Sequence, residues 1–386
     1  MLRRRIGILT GGGDVPGLNS VIKSVVYRGT ENDCEVIGIR RGWEGLTNLN
    51  LDDAESREKY VWPLNRENTR TIDRFGGTVL HSTRTNPSKM RVLPENLKSG
   101  NFPQKGDTWD VSSQVMKNLE GLKIDTMVAI GGDDTLSYAA RLHQLGVSVI
   151  AIPKTMDNDV QHTEYCIGFS TAITRATAAI GRQRTTVGSH ERIGIFRIFG
   201  RDAGFTALYT AYVTSIRCCI PEYEVDIEKL INLLLVEKSD TRSNYVLLVI
   251  SEGARWKGYT VQEYGDPDAF GHRKKMSVGE ALASEIRKRT GEDSIVSDLT
   301  YDLRSGEPDF VDKMIATTFG NMALETVLEG RSGLMAALVG GCYTMVTIPD
   351  PQLGPRKVDV ASMYNTDRYR PSYSHKYGMP IFLTRA

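Results

Sequence analysis

The stretch TMVAIGGDDTLSYAARL, residues 126–142, runs from an apolar β-branched segment through two glycines and two adjacent aspartates into a helical pattern. Strand, glycine turn and helix in that order form the repeating unit of a parallel α/β sheet, because a parallel strand needs a crossover helix before the next. The grammar recurs on both sides. ILTGGGDVPGLNSVI (8–22) is a second strand end with a glycine run and a helix start, and strands read at 5–9, 35–39, 126–130 and 147–152. A later series follows at 193–199, 245–250, 334–339 and 343–348. Helical spacing fits 18–29, 112–122, 135–146, 170–188, 202–214, 226–238, 277–290 and 310–329.

At 386 residues the chain exceeds the roughly 250–300 at which single cores stop growing, so two lobes with a cleft between them are expected. Lys plus Arg at 48 against Asp plus Glu at 47 gives a net charge of +1, which leaves no global field for nucleic acid or an anionic membrane. Any basic site must be local. Five cysteines without CxxC or Cys/His spacing fit a reducing cytoplasm, with Cys218 and Cys219 as packing residues. After the basic MLRRR only a few apolar residues precede the first glycines, too few for a signal or a membrane span. Residues 92–110 and 253–275 break the rhythm with Gly, Pro and charge, and read as tolerated surface insertions, with a lid or an interface arm as the alternative. The tail 364–378 is polar, aromatic and basic: a solvated extension, or a segment closing over an anion.

The glycine turns after the first strand and at 131–132 suit a phosphate, since glycine lets backbone approach an oxyanion and a helix start offers free N–H donors. Each alone also fits an ordinary strand-to-helix turn. Two at strand ends in one sheet converge on the crevice where such sheets bind ligands. IPKTMDNDV (152–160) adds Lys154, Thr155, Asp157 and Asp159. If this segment is extended, both aspartates face one side and can address one reacting centre, with an Asx-turn of solvated acids as the rival reading. The doublet Asp133–Asp134 then poses a problem: one acid can hold a metal that holds phosphates, but a second repels them.

GGGDVPGLN, GGDDT, PKTMDND, HER, FGRDAG, SEGA and LTYDLRSGEPDFVDK occur between residues 11 and 313 in the order seen in the 6-phosphofructokinase family, which the chain resembles on these motifs. The resemblance implies two doubly wound, Rossmann-like α/β domains with the active site in the cleft between them. The donor domain would be 1–168 plus 303–353, and the fructose 6-phosphate domain 169–302 plus 354–386. It implies Asp157 as the base for the sugar 1-hydroxyl, with Thr155 and Asp159 beside it and Arg201 stabilising the transferring group. Gly13 and Arg84 would meet the phosphoryl donor, and Asp133 would hold Mg2+. Gly200, Glu252 and Arg304 look like sugar-phosphate contacts, as does Arg192, which relatives supply across a subunit interface. A homodimer or homotetramer follows.

Departures from bacterial ATP enzymes of the family are informative. Tyr301 stands where they carry a histidine near the 6-phosphate, and Ile295 where they carry an interface arginine, so a substitute cation is sought in Arg370, His375 or Lys376. On the first helix Lys23 and Tyr27 occupy effector-arginine positions, and Trp43, which takes the place of a residue beside the nucleotide, reads as packing. ATP-using members mostly carry GGDG and PGT at the two turns, whereas pyrophosphate-using members resemble the GGDD and PKT of this chain. Physically, a carboxylate at 134 projects where an ATP α-phosphate would lie. Two like charges ~4 Å apart cost roughly 4 kcal/mol at an effective dielectric near 20. Asp134 and Lys154 therefore read as donor-selecting residues. The reading is a glycolytic transfer from pyrophosphate to fructose 6-phosphate, giving fructose 1,6-bisphosphate and phosphate. The rivals are the ATP-dependent kinase, a NAD or lipid kinase relative, and a silent regulatory subunit on the same fold.

Overall fold

The computed structural model describes residues 4–372 apart from 241, 261–262 and 265–273, and for 263–264 and 274–275 it gives the backbone alone. Two sheets organise it. The larger has seven strands: β1 (Arg5–Thr10), β2 (Glu35–Ile39), β3 (Val61–Leu64), β4 (Thr126–Gly131), β5 (Val149–Pro153), β10 (Leu334–Val339) and β11 (Cys342–Thr347), in the spatial order β11-β10-β5-β4-β1-β2-β3. The smaller has β6 (Ile193–Ile198), β7 (Arg217–Cys219), β8 (Val246–Ser251) and β9 (Ser294–Asp298), ordered β9-β6-β8-β7 and wholly parallel. All eight strands expected from sequence are present.

Strand alternation drives the layering. Ile6, Ile8, Val128, Ile130, Ile150 and Ile152 pack into one core with α1 (Leu18–Glu31) and α11 (Phe310–Leu328). Leu9, Met127, Ala129 and Val149 face the opposite core, built with α2 (Trp43–Asn48), α4 (Ser112–Gly121) and α5 (Asp133–Gln144). Both faces of the large sheet are thus covered, as near-continuous apolar strands require.

Several expectations are corrected. β11 runs antiparallel to β10, and β3, missed in the sequence, runs antiparallel to β2. Both are edge strands, and Pro63, which lacks an N–H donor, is tolerated there. β7 and β9 were also unmarked: one is three residues long, and the other, SIVSD, is too polar to stand out. The described end of the tail does not close over the cleft. Tyr364 and Tyr369 are buried, the Tyr364 hydroxyl donates to Cys218 O, and the Tyr369 hydroxyl accepts from Asp226 N. Arg370 is bound to Glu237 at 2.9 Å and to Ser215 O, which removes it as the substitute cation. His375 and Lys376 lie outside the described residues. Cys218 and Cys219 are fully buried, as expected of packing residues.

A buried carboxylate ties α11 to the segment that leads into the second sheet. Asp312, in the first turn of α11, accepts from Gly168 N at 2.7 Å, Thr171 N at 2.8 Å and the Tyr165 hydroxyl at 2.6 Å. It thereby satisfies donors at the start of α6 (Phe169–Ser189), the helix that leads into the second sheet.

Candidate active site

In each sheet the chain order reverses beside a central strand. For the larger sheet the point lies between β1 and β4, and for the smaller between β6 and β8. Ligands bind at the carboxyl ends of strands at such points. Residues following all four strands, together with Arg197 near the end of β6 and Asp298 at the end of β9, line one cleft of about 1040 Å³.

The first loop, Gly11–Asp14, is shaped by what presses on it. A Cβ on Gly13 would sit 2.5 Å from Arg304 Nη1, so a side chain there would push that guanidinium from its place. Arg304, in the short helix α10 (Tyr301–Arg304), donates to Asp14 O at 3.0 Å and lies over the Phe199 ring, 4.5 Å from its centroid. It bridges the carboxyl ends of β1 and β6. Lys154, just past β5, is almost fully buried and donates to Gly13 O at 2.5 Å. Burial first, then Arg304 and Arg84, lower its pKa to about 8. Lys154 therefore supports the first glycine loop as well as lining the cleft.

The helix expected at 135–146 begins earlier, at Asp133, with Gly132 as its cap, so both aspartates occupy the first turn of α5. The helix dipole stabilises carboxylates there. Asp133 keeps contact with the open cleft, yet the surrounding protein raises its pKa to about 7, first by burial and then through Asp159, Asp134 and Asp202.

The condition that 152–160 be extended is met only at its start: Lys154 still pairs in parallel with Ile167, but the chain turns at 156–157 and Asn158 adopts a positive φ of 54°. Asp157 and Asp159 both reach the cleft all the same, and Thr155 Oγ1 accepts from Asp157 N at 3.1 Å. Burial, then Asp159 and Glu252, push Asp157 up to about 7, opposed by Arg304 and by a backbone hydrogen bond from Arg201. Arg201 itself is largely exposed to the cleft.

Gly13, Arg84, Asp133, Asp134, Lys154, Thr155, Asp157, Asp159, Arg201, Glu252, Tyr301 and Arg304 all line this space. Two expected residues do not. Gly200 has a φ of 122°, and a Cβ there would meet Ala203 O at 2.7 Å; it shapes the turn that presents Arg201. Arg192 precedes β6 at the end remote from the cleft and lies 3.8 Å from Asp293. Trp43 is buried, donates to Thr135 O and packs edge-on against Tyr138, as packing residues do. Sequence reasoning missed Arg197, Asp202 and Asp298, which line the cleft. Arg197 did carry a signal: it is the single charge in the otherwise apolar IGIFRIF.

Eight carboxylates (Asp14, Asp133, Asp134, Asp157, Asp159, Asp202, Glu252, Asp298) face five cations (Arg84, Lys154, Arg197, Arg201, Arg304) across the cleft. Carboxyls outnumber cations there, which leaves oxygen ligands for an added cation beside a phosphorylated substrate. Among the described residues no three His, Cys, Asp or Glu side chains form a protein-only cage. That donor set fits Mg2+, which keeps several waters and draws on one or two carboxylates plus substrate phosphates.

Glycine loops, arginines and a buried carboxylate gathered at strand ends are the kinds of groups phosphoryl-transfer enzymes use. The chain belongs to the phosphofructokinase family: the family profile described as Phosphofructokinase matches residues 5–327. It is 36% identical over 364 residues to a pyrophosphate–fructose 6-phosphate 1-phosphotransferase of Dictyoglomus thermophilum, covering 94% of this chain and 97% of that one. It is 35% identical over 349 residues to the ATP-dependent 6-phosphofructokinase 3 of Streptomyces coelicolor, covering 90% and 94%. A crystal structure of a pyrophosphate-dependent phosphofructokinase from Marinobacter aquaeolei superposes with a TM-score of 0.73 at 17% identity over 94% of this chain and 88% of that one, which shows the shared fold.

Proposed function

We propose that the protein transfers a phosphoryl group reversibly from pyrophosphate to the 1-hydroxyl of fructose 6-phosphate. Four relatives, 36–38% identical, are all named for pyrophosphate, followed by one named for ATP at 35%. The observation that carries the reading is the pair Asp134 in the first turn of α5 and Lys154 beneath the first glycine loop. Arg84, Lys154 and the first loop hold pyrophosphate. Asp157 takes the 1-hydroxyl proton while the sugar oxygen bonds to the near phosphorus and the bridging P–O bond breaks, releasing phosphate. Arg201 offsets charge on the transferring group. Asp133 would hold Mg2+, which would neutralise phosphate oxygens as they bind. Glu252, Tyr301 and Arg304 meet the sugar phosphate. Of the described residues, those within 1–168 and 303–353 form the donor half, and those within 169–302 and 354–386 the sugar half. No helix among the described residues is long and apolar enough to cross a membrane, and we assign the enzyme to the cytoplasm. The test is a coupled assay with fructose 6-phosphate and either donor: activity with pyrophosphate far above ATP is expected, and equal activity with both contradicts the reading.

Arg192 extends the proposal to a homodimer or homotetramer with shared sites. Its position away from its own chain's cleft is what a residue serving a neighbouring subunit would have. Mixing inactive Asp157→Ser chains with inactive Arg192→Ala chains should restore activity after subunit exchange. No recovery despite demonstrated exchange would place the action of Arg192 within its own chain.

A further inference from the structure

Arg197 is a cleft cation to which the reaction as described gives no task. It sits near the carboxyl end of β6, in register with Ile250 of β8 on one side and Asp298 of β9 on the other. Its Nη2 donates to Glu252 Oε2 at 2.6 Å, and only about a fifth of either side chain is exposed. Asp298 is held separately, by the Ser277 hydroxyl at 2.7 Å. Among the described residues, the cation nearest the other Glu252 oxygen, Oε1, is Arg201, whose Nε lies 3.9 Å away, beyond hydrogen-bond reach. The Glu252 backbone is pinned as well: its N–H donates to Ile198 O, and a Cβ on the next residue, Gly253, would lie 1.9 Å from Arg201 O. What remains free is the side-chain torsion, and the contact with Arg197 removes that freedom.

We propose that Arg197 is a positioning residue for the acceptor sugar: it holds Glu252 by Oε2 and so turns Oε1 to the cleft as a fixed acceptor for a sugar hydroxyl. The inference rests on the reading of Glu252 as a sugar contact. A planar guanidinium suits this task because its donors are fixed relative to one another, whereas an ammonium is a rotating point charge. The pair also keeps the Glu252 charge balanced in a cleft already rich in carboxylates, which an unpaired, mostly buried carboxylate would not tolerate.

The test compares wild type with Arg197→Met, Arg197→Lys, Glu252→Gln and the Arg197→Met/Glu252→Gln double variant, reading kcat and the KM for each substrate. Glu252→Gln should raise KM for fructose 6-phosphate about 10-fold. Arg197→Met should do the same while KM for pyrophosphate stays within about two-fold. The double variant should be no worse than Glu252→Gln alone by more than about two-fold, because the residues act as one unit. Arg197→Lys should recover part of the loss, and it carries the same comparison, against Glu252→Gln, if the Met variant does not fold. A normal KM in both Arg197 variants beside a raised one in Glu252→Gln overturns the inference. So do multiplying effects in the double variant, which would mean that Arg197 touches the sugar phosphate itself. An unchanged KM in Glu252→Gln removes the reading of Glu252, and with it the inference.

Discussion

Replacing Asp157 with Asn should lower turnover by ~10² to 10⁴ while leaving the affinity for fructose 6-phosphate within a few-fold, the loss typical of removing a general base. Asparagine keeps the shape and the hydrogen bond from Asp157 N to Thr155 Oγ1, so the change isolates the lost proton acceptor. The wild-type pH dependence gives an independent check. Burial, with Asp159 and Glu252, raises the Asp157 pKa to about 7, so the carboxyl is increasingly protonated below that pH. Phosphorylation of the sugar needs the ionised form and should slow as pH falls through about 7. The reverse direction needs the protonated form and should slow as pH rises through the same range. In the Asn variant the part of the acid limb due to Asp157 should be lost, leaving that of Asp133, which titrates in the same range. A variant that keeps a tenth of wild-type turnover removes Asp157 from this role.

The sequence carried the alternation of strand and helix well, because buried parallel strands are continuous apolar runs and the glycine turns punctuate them. What it hid was short, polar or at an edge: β3 with its proline, the three residues of β7, and the SIVSD of β9. At the site, residues next to glycine turns were legible because strand ends in one sheet must converge. Arg197 was not, because a charge inside a strand reads as a lapse in a buried run until its partner is known. Only the fold brings Glu252, at the end of a different strand, to within 2.6 Å of it. Lys154 was legible as a cleft cation, but its bond to Gly13 O, across 141 residues of chain, was not.

Changing Asp134 to Gly should admit a nucleotide donor. The side chain lies in the first turn of α5, open to the cleft, so its repulsion of an α-phosphate is partly screened, and ATP use relative to pyrophosphate should rise about 10- to 100-fold. Lys154→Gly should lower pyrophosphate use about 10- to 100-fold, through loss of a charge-assisted contact and of the support under the first loop. Because the two residues address one ligand, their effects should not multiply, and the double variant should shift preference furthest toward ATP. Most direct is kcat/KM for pyrophosphate and for ATP in wild type and Asp134→Gly, at saturating fructose 6-phosphate and fixed free magnesium. The account predicts a wild type that strongly prefers pyrophosphate and a variant whose donor ratio moves at least about ten-fold toward ATP; a ratio that stays within about two-fold of wild type contradicts it.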